Sequence, residues 1–76
     1  MAITLKGRIL AEDETVIIED ATIHSNGDGT GAFEAPAGLT LHDFGQNCII
    51  EIENDRRMVT VYELPLSGKP RLALFK

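Results

Sequence analysis

Cysteine occurs once, at Cys48, so no internal disulfide can staple this chain. Histidine occurs twice, at His24 and His42, and neither has a close-spaced partner of the kind a zinc framework needs. No apolar run approaches the roughly 20 residues of a membrane span. The opening stretch Met1 to Arg8 is strand-like and soon broken by Lys6 and Arg8, which does not read as a secretory leader. One cysteine and no leader point to a soluble protein of a reducing, cytoplasmic compartment. Aromatic residues are few: three phenylalanines, one tyrosine and no tryptophan. Stacking platforms for nucleic-acid bases are therefore scarce. No sustained 3.6-residue apolar period and no internal repeat occurs, which leaves little room for helix.

Cations are also in the minority. The net charge is −5, and residues 1–38 account for all of it, while residues 39–76 are balanced. Nucleic-acid phosphates repel such a chain unless its cations gather on one face.

What the sequence does have is period-two alternation, the mark of strands with one face buried. It is clearest from Cys48 to Leu64, around the polar segment Asn54-Asp55-Arg56-Arg57. Cys48, Ile50 and Ile52 share a face, opposite Ile49, Glu51 and Glu53. Val59 and Val61 share a face, opposite Met58, Thr60, Tyr62 and Leu64. A two-residue turn at Asn54-Asp55 pairs Ile50 with Val59 and sets Glu53 opposite Arg56. A four-residue loop pairs Ile52 with Val59 and Ile50 with Val61. Either keeps the aliphatic residues together, whereas an odd loop sends one set to solvent.

The rest of the chain reads as further short strands. Ile3 to Leu10 is the first, with Gly7 marking a bulge or bend. Thr15 to Glu19 is the second, continuing through Asp20 to Ser25 after a kink. Asn26-Gly-Asp-Gly-Thr-Gly31 is a hairpin signal, Ala32 to Ala35 the return strand and Pro36 its stop. Between Pro36 and Asn47 a short strand at Leu39 to His42 is expected. Arg71 to Phe75 is the last strand, closing against an earlier one. The sum is a single all-β domain over residues 1–76. It should be a small antiparallel β-barrel or sandwich of five to seven short strands, the size of SH3-like and OB-like barrels, with little or no helix. A chain this small gains from burying surface against a copy of itself, so a homo-oligomer is expected over a monomer.

Candidate chemistry is thin. The glycine-rich stretch Asn26 to Gly31 lacks the following Lys-Ser/Thr of a phosphate loop and the twelfth-position acid of a calcium loop, which is Ala37. Cys48, in phase with Ile50 and Ile52, reads as core. His24, His42, Asp43 and Cys48 are scattered singly. Glu51, Glu53 and Glu63 read as a solvated sheet face. No catalytic residue, metal site or cofactor is expected.

The functional expectation is a non-enzymatic protein-interaction module. It would use an exposed sheet face or edge at Ile49, Met58 and Tyr62, with Arg56 and Arg57 beside it. A phage or mobile-element protein acting on a host factor fits the size and acidity. The alternative is a nucleic-acid-binding barrel. Its basic patch would join the 54–57 loop to Lys69 and Arg71 of the C-terminal strand region, with Phe33 and Tyr62 as stacking surfaces.

Overall fold

Residues 3–76 are described by the computed structural model. Seven strands form one antiparallel sheet: β1 (Ile3–Ala11), β2 (Val16–Ser25), β3 (Gly31–Ala35), β4 (Cys48–Ile52), β5 (Asp55–Val59), β6 (Val61–Glu63) and β7 (Arg71–Phe75). Their order in the sheet is β5-β4-β1-β2-β3-β7-β6. The sheet curls into a half-barrel, so the all-β reading holds in its barrel form.

The topology has one unusual consequence. The two edge strands, β5 and β6, are consecutive in the chain and separated only by Thr60. Residues 55–63 are thus one length of extended chain that changes partners. Its first part pairs with β4, from Ile52↔Asp55 to Cys48↔Val59. Its second part pairs with β7, starting at Val61↔Phe75. At the crossover the Thr60 amide donates to the Lys76 carbonyl at 3.0 Å, and the Lys76 amide returns a bond to the Thr60 carbonyl at 3.0 Å. The rolled sheet meets itself there.

Alternation then decides what lies inside. Ile9 faces both Ile18 and Ile50 across its two ladders, Ile23 faces Phe33, and Phe33 faces Ala73. Together with Ala21, Phe44, Cys48, Val59, Val61 and Phe75 they form the hydrophobic core cluster of the described residues. Phe33 sits at its centre, edge-on to Phe44 with centroids 5.3 Å apart and stacked on Phe75 at 6.2 Å. Cys48 is fully buried, as its phase implies, and burial pushes its thiol up to about 11.

Two local features let the sheet roll. Past Gly7↔Ala21 the β1–β2 ladder shifts register, reaching Ile9↔Ile18, so β2 spends three residues against two of β1. That bulge coils the pair, and it coincides with the glycine and the kink expected from sequence. Gly7 is required by close approach: a Cβ there would stand 2.3 Å from the Glu51 carbonyl oxygen. The β2–β3 connection is a loop over residues 26–30, closed by the Asn26 amide on the Thr30 carbonyl at 3.0 Å. Asp28 accepts from both the amide and the hydroxyl of Thr30, which lowers its pKa.

Three expectations need correction. The segment expected as a strand at Leu39 to His42 is instead a 3-10 turn over Leu41–Phe44. Asp43 accepts from the Thr40 amide at 2.7 Å and from its hydroxyl, a capping box that starts the turn and delivers Phe44 to the bottom of the core. The β4–β5 turn is the residue pair Glu53-Asn54, not Asn54-Asp55 or a four-residue loop. It is even in length, so the faces are those expected, but the pairing moves by two. Ile50 faces Arg57, Val59 faces Cys48, and Arg56 faces Glu51 rather than Glu53. Finally, Val61 pairs with Phe75 of β7 and not with Ile50.

The turn carries strain, since Glu53 has φ 55 and is not glycine. Glu53→Gly should therefore raise stability by about 0.5–1 kcal/mol in a urea titration. A loss of stability would give the Glu53 side chain a role that the turn geometry does not. Val61→Asp should unfold the chain, because an unpaired carboxylate beside Phe75 costs several kcal/mol, against about 4–11 kcal/mol for the whole domain. A parent-like melting curve would contradict the inward placement of Val61.

Candidate functional site

The outer face of the sheet carries the residues singled out for interaction. Ile49 stands directly opposite Met58, Leu10 opposite Ile49, and Val16 opposite Leu10. Cα partners in a ladder share a face, so these four residues make one apolar row across β5, β4, β1 and β2. None belongs to the core cluster. Met58 is 54% exposed and Val16 39%, with Leu10 buried between them. Tyr62 lies four residues beyond Met58 on the same shared strand and the same face. It is 50% exposed, with the Lys76 ammonium 5.4 Å from its ring centroid. Ile49 and Met58 are thus adjacent, while Tyr62 lies further along the shared strand, at the register shift of β6, beside His24, Ala32 and Leu74.

A row of charges runs beside the apolar one. Arg8 and Arg56 both face Glu51, from opposite neighbouring strands. Each guanidinium donates through Nε to a different carboxylate oxygen, both at 2.7 Å. Arg56 also pairs with Glu14, which the β1–β2 turn presents at φ 71. These two arginines and two glutamates are balanced in charge on a protein of net −5. Glu51 is only 13% exposed at its side chain. The hydrogen bonds from Arg8, then those from Arg56, hold its carboxyl below the usual range.

The two arginines of the 54–57 segment do not act together. Arg57 faces Ile50, so it lies on the inner side of β5, where the half-barrel opens. It reaches the Gly29 carbonyl in the 26–30 loop. The cations expected to join them stand elsewhere. Arg71 donates to the carbonyls of Pro36, Leu39 and Pro65 at 2.8–3.0 Å and clamps the loops at the opposite end. Phe33 is fully buried and offers no stacking surface.

Other candidate groups are likewise dispersed. His24 contacts Glu34 and Thr4 on the outer face, at 3.3 and 3.2 Å. His42 and Asp43 lie in the 3-10 turn, and Cys48 is inside. Among the described residues no group of three or more His, Cys, Asp or Glu could hold a metal ion. Glu51, Glu53 and Glu63 sit on the outer face, in a turn and on the opposite sheet edge. No helix among the described residues is long and apolar enough to cross a membrane.

One further feature was not singled out from sequence. The mouth of the half-barrel is a cavity of about 400 Å³, lined by Leu5, Ile23, Ile50, Ile52 and Phe75, with Ser25, Asp55, Arg56 and Arg57 at its polar side. Alternation shows that Leu5 and Ile23 face inward. Only the register places Arg57 among them.

The Glu51 network makes stability depend on acid. A carboxyl held low in the folded state contributes above its ordinary value of 4.5, and that contribution is lost as pH falls through the lower folded value. Glu51→Gln should therefore lose less melting temperature than the parent between pH 6 and pH 3. Equal losses would mean that the arginine pairs do not bear on folding.

Compared with protein-family models, with curated proteins and with solved structures, the chain matches none.

Proposed function

We propose that this chain is a non-enzymatic protein-interaction module that works as a homo-oligomer, its contact surface being the outer face of β4, β5 and β6. The observation that carries this reading is the exposed Met58, directly opposite half-buried Ile49 on the outer face and outside the core cluster, with exposed Tyr62 further along the same strand. Leu10 is covered in the single chain, whereas Met58 and Tyr62 are left half-exposed to water. Burying a side chain such as Met58 recovers about 1.5–3 kcal/mol. Methionine and tyrosine are residue types enriched where proteins meet.

A second copy of the chain is the partner that the electrostatics favour. The chain carries a net charge of −5, but the ground beside Met58 and Ile49 is neutralised by Arg8, Arg56, Glu14 and Glu51. Two such faces meet without net repulsion. Nucleic acid has no comparable observation in its favour, because Arg56 and Arg71 are already engaged and stand on different parts of the barrel.

Sedimentation at rising concentration should show the parent as a dimer. Met58→Glu should return it to monomer with an unchanged circular dichroism spectrum, since the side chain is exposed in the single chain. Tyr62→Glu should weaken association in the same direction. A parent that stays monomeric at several hundred micromolar, or a Met58→Glu variant that remains dimeric, would contradict the reading.

A further inference from the structure

The chain has asparagine at positions 26, 47 and 54, and only Asn26 is followed by glycine. The side-chain amide carbon of an asparagine lies within reach of the main-chain nitrogen of the next residue. Attack by that nitrogen needs it free of a ladder and clear of a bulky side chain. Cys48 and Asp55, which follow Asn47 and Asn54, fail on both counts. They open β4 and β5, where Cys48 pairs with Ala11 and Val59 and Asp55 with Ile52. Gly27 belongs to no strand and has no Cβ. Its φ of 85 is a conformation that glycine adopts at little cost. Its nitrogen donates to the Ser25 hydroxyl at 3.2 Å.

The loop holds Asn26 in place but leaves it exposed. Its main-chain amide donates to the Thr30 carbonyl at 3.0 Å, and its Nδ2 donates to the Thr30 hydroxyl at 3.0 Å. Exposure lets water solvate the oxyanion that attack creates and carry off the leaving nitrogen.

Asn26 also occupies a particular place on the outer face. With His24, Thr30, Ala32, Leu74 and Tyr62 it lines a recess of about 340 Å³. No acidic residue is among those that line it. A carboxylate at residue 26 would therefore bring a new charge to the ground beside Tyr62, which is half-exposed.

We propose that Asn26 is a site of spontaneous covalent modification, where Gly27 turns the side-chain amide into a carboxylate beside Tyr62 and so weakens self-association. The effect on association rests on the outer-face reading above, and the conversion does not. The Gly27 nitrogen attacks Asn26 Cγ and gives its proton to water. The new N–Cγ bond closes a five-membered imide, the Cγ–Nδ2 bond breaks, and Nδ2 leaves as ammonia. Water then adds to one of the imide carbonyls. Opening at Cγ restores the main chain and leaves aspartate. Opening at the main-chain carbonyl leaves isoaspartate, with the chain running through Cβ and Cγ. Either route consumes one water, releases one ammonia and needs no oxidant or reductant. Both products lose the Nδ2 donor to Thr30. In a two-fold dimer each copy brings one such carboxylate, and like charges oppose the contact.

The test is to hold the full chain for weeks in neutral buffer made with heavy-oxygen water. Peptide mass spectrometry should find the label at residue 26 in both aspartate and isoaspartate. It should enter there about tenfold faster than at Asn47 or Asn54, which must first open a ladder. Asn26→Gln should stop the conversion, because its ring would be one atom larger. In sedimentation Asn26→Asp should associate several-fold more weakly than the parent, as should the converted fraction of an aged sample, while Asn26→Gln associates like the parent. Circular dichroism should be the same for all of them. Labelling at residue 26 no faster than at the other two asparagines, or aspartate without isoaspartate, would overturn the conversion. Association of the converted chain as tight as the parent's would overturn its effect. A parent that does not associate would overturn that effect together with the outer-face reading, and the labelling then decides the conversion on its own.

Discussion

The fold depends on one residue pair. The reciprocal bonds between Thr60 and Lys76 are where a sheet with two free edges becomes a rolled structure. Because β5 and β6 are one length of chain, no loop has to carry the polypeptide from one sheet edge to the other. Val59 and Val61 flank the crossover and both face inward, so the strand delivers side chains to the core while it changes partners. Without the crossover, β5 and β6 would be two short unprotected edges, of the kind that invites aggregation.

The same pair divides the barrel into two unlike ends. On one side the 3-10 turn inserts Phe44 against Phe33, and Arg71 gathers the carbonyls of Pro36, Leu39 and Pro65. That end is filled and tied. On the other side β5 and β7 diverge, and the Arg57 side chain reaches across to the Gly29 carbonyl. Three arginines thus do three different things. Arg56 neutralises carboxylates on the outer face, Arg71 holds loops, and Arg57 stands over an apolar cavity. Their roles follow from which side of a strand each occupies, and adjacency in sequence says nothing of it.

Much of the fold was legible because alternation survives any even-length turn. The faces of β4 and β5, the buried Cys48, the bulge after Gly7 and the bounds of β7 all follow from period two and glycine placement. The register did not follow, because even loops differing by two residues satisfy alternation equally. The turn chosen, Glu53-Asn54, has no glycine to announce it and places Glu53 at positive φ. The partner change at Thr60 was hidden for a related reason: alternation records what faces inward and not which strand lies alongside. The 3-10 turn did have a signal, since Thr40 and Asp43 stand in capping-box spacing, but the alternating Leu39 and Leu41 read as strand. Of the candidate site, the outward phase of Ile49, Met58 and Tyr62 was readable, although Ile49 is half-buried and only Met58 and Tyr62 are exposed. The separate fate of Arg57 required the register.

Amide hydrogen exchange at Thr60 and Lys76 tests the closure most directly. If these bonds join the two halves of the sheet, both amides should exchange only on global unfolding, with the same protection as Ile9 and Phe33 in the centre of the sheet. Exchange at the rate of a fraying terminus, while Ile9 and Phe33 stay protected, would show that the sheet is not closed at Thr60 and that the crossover does not hold the barrel together.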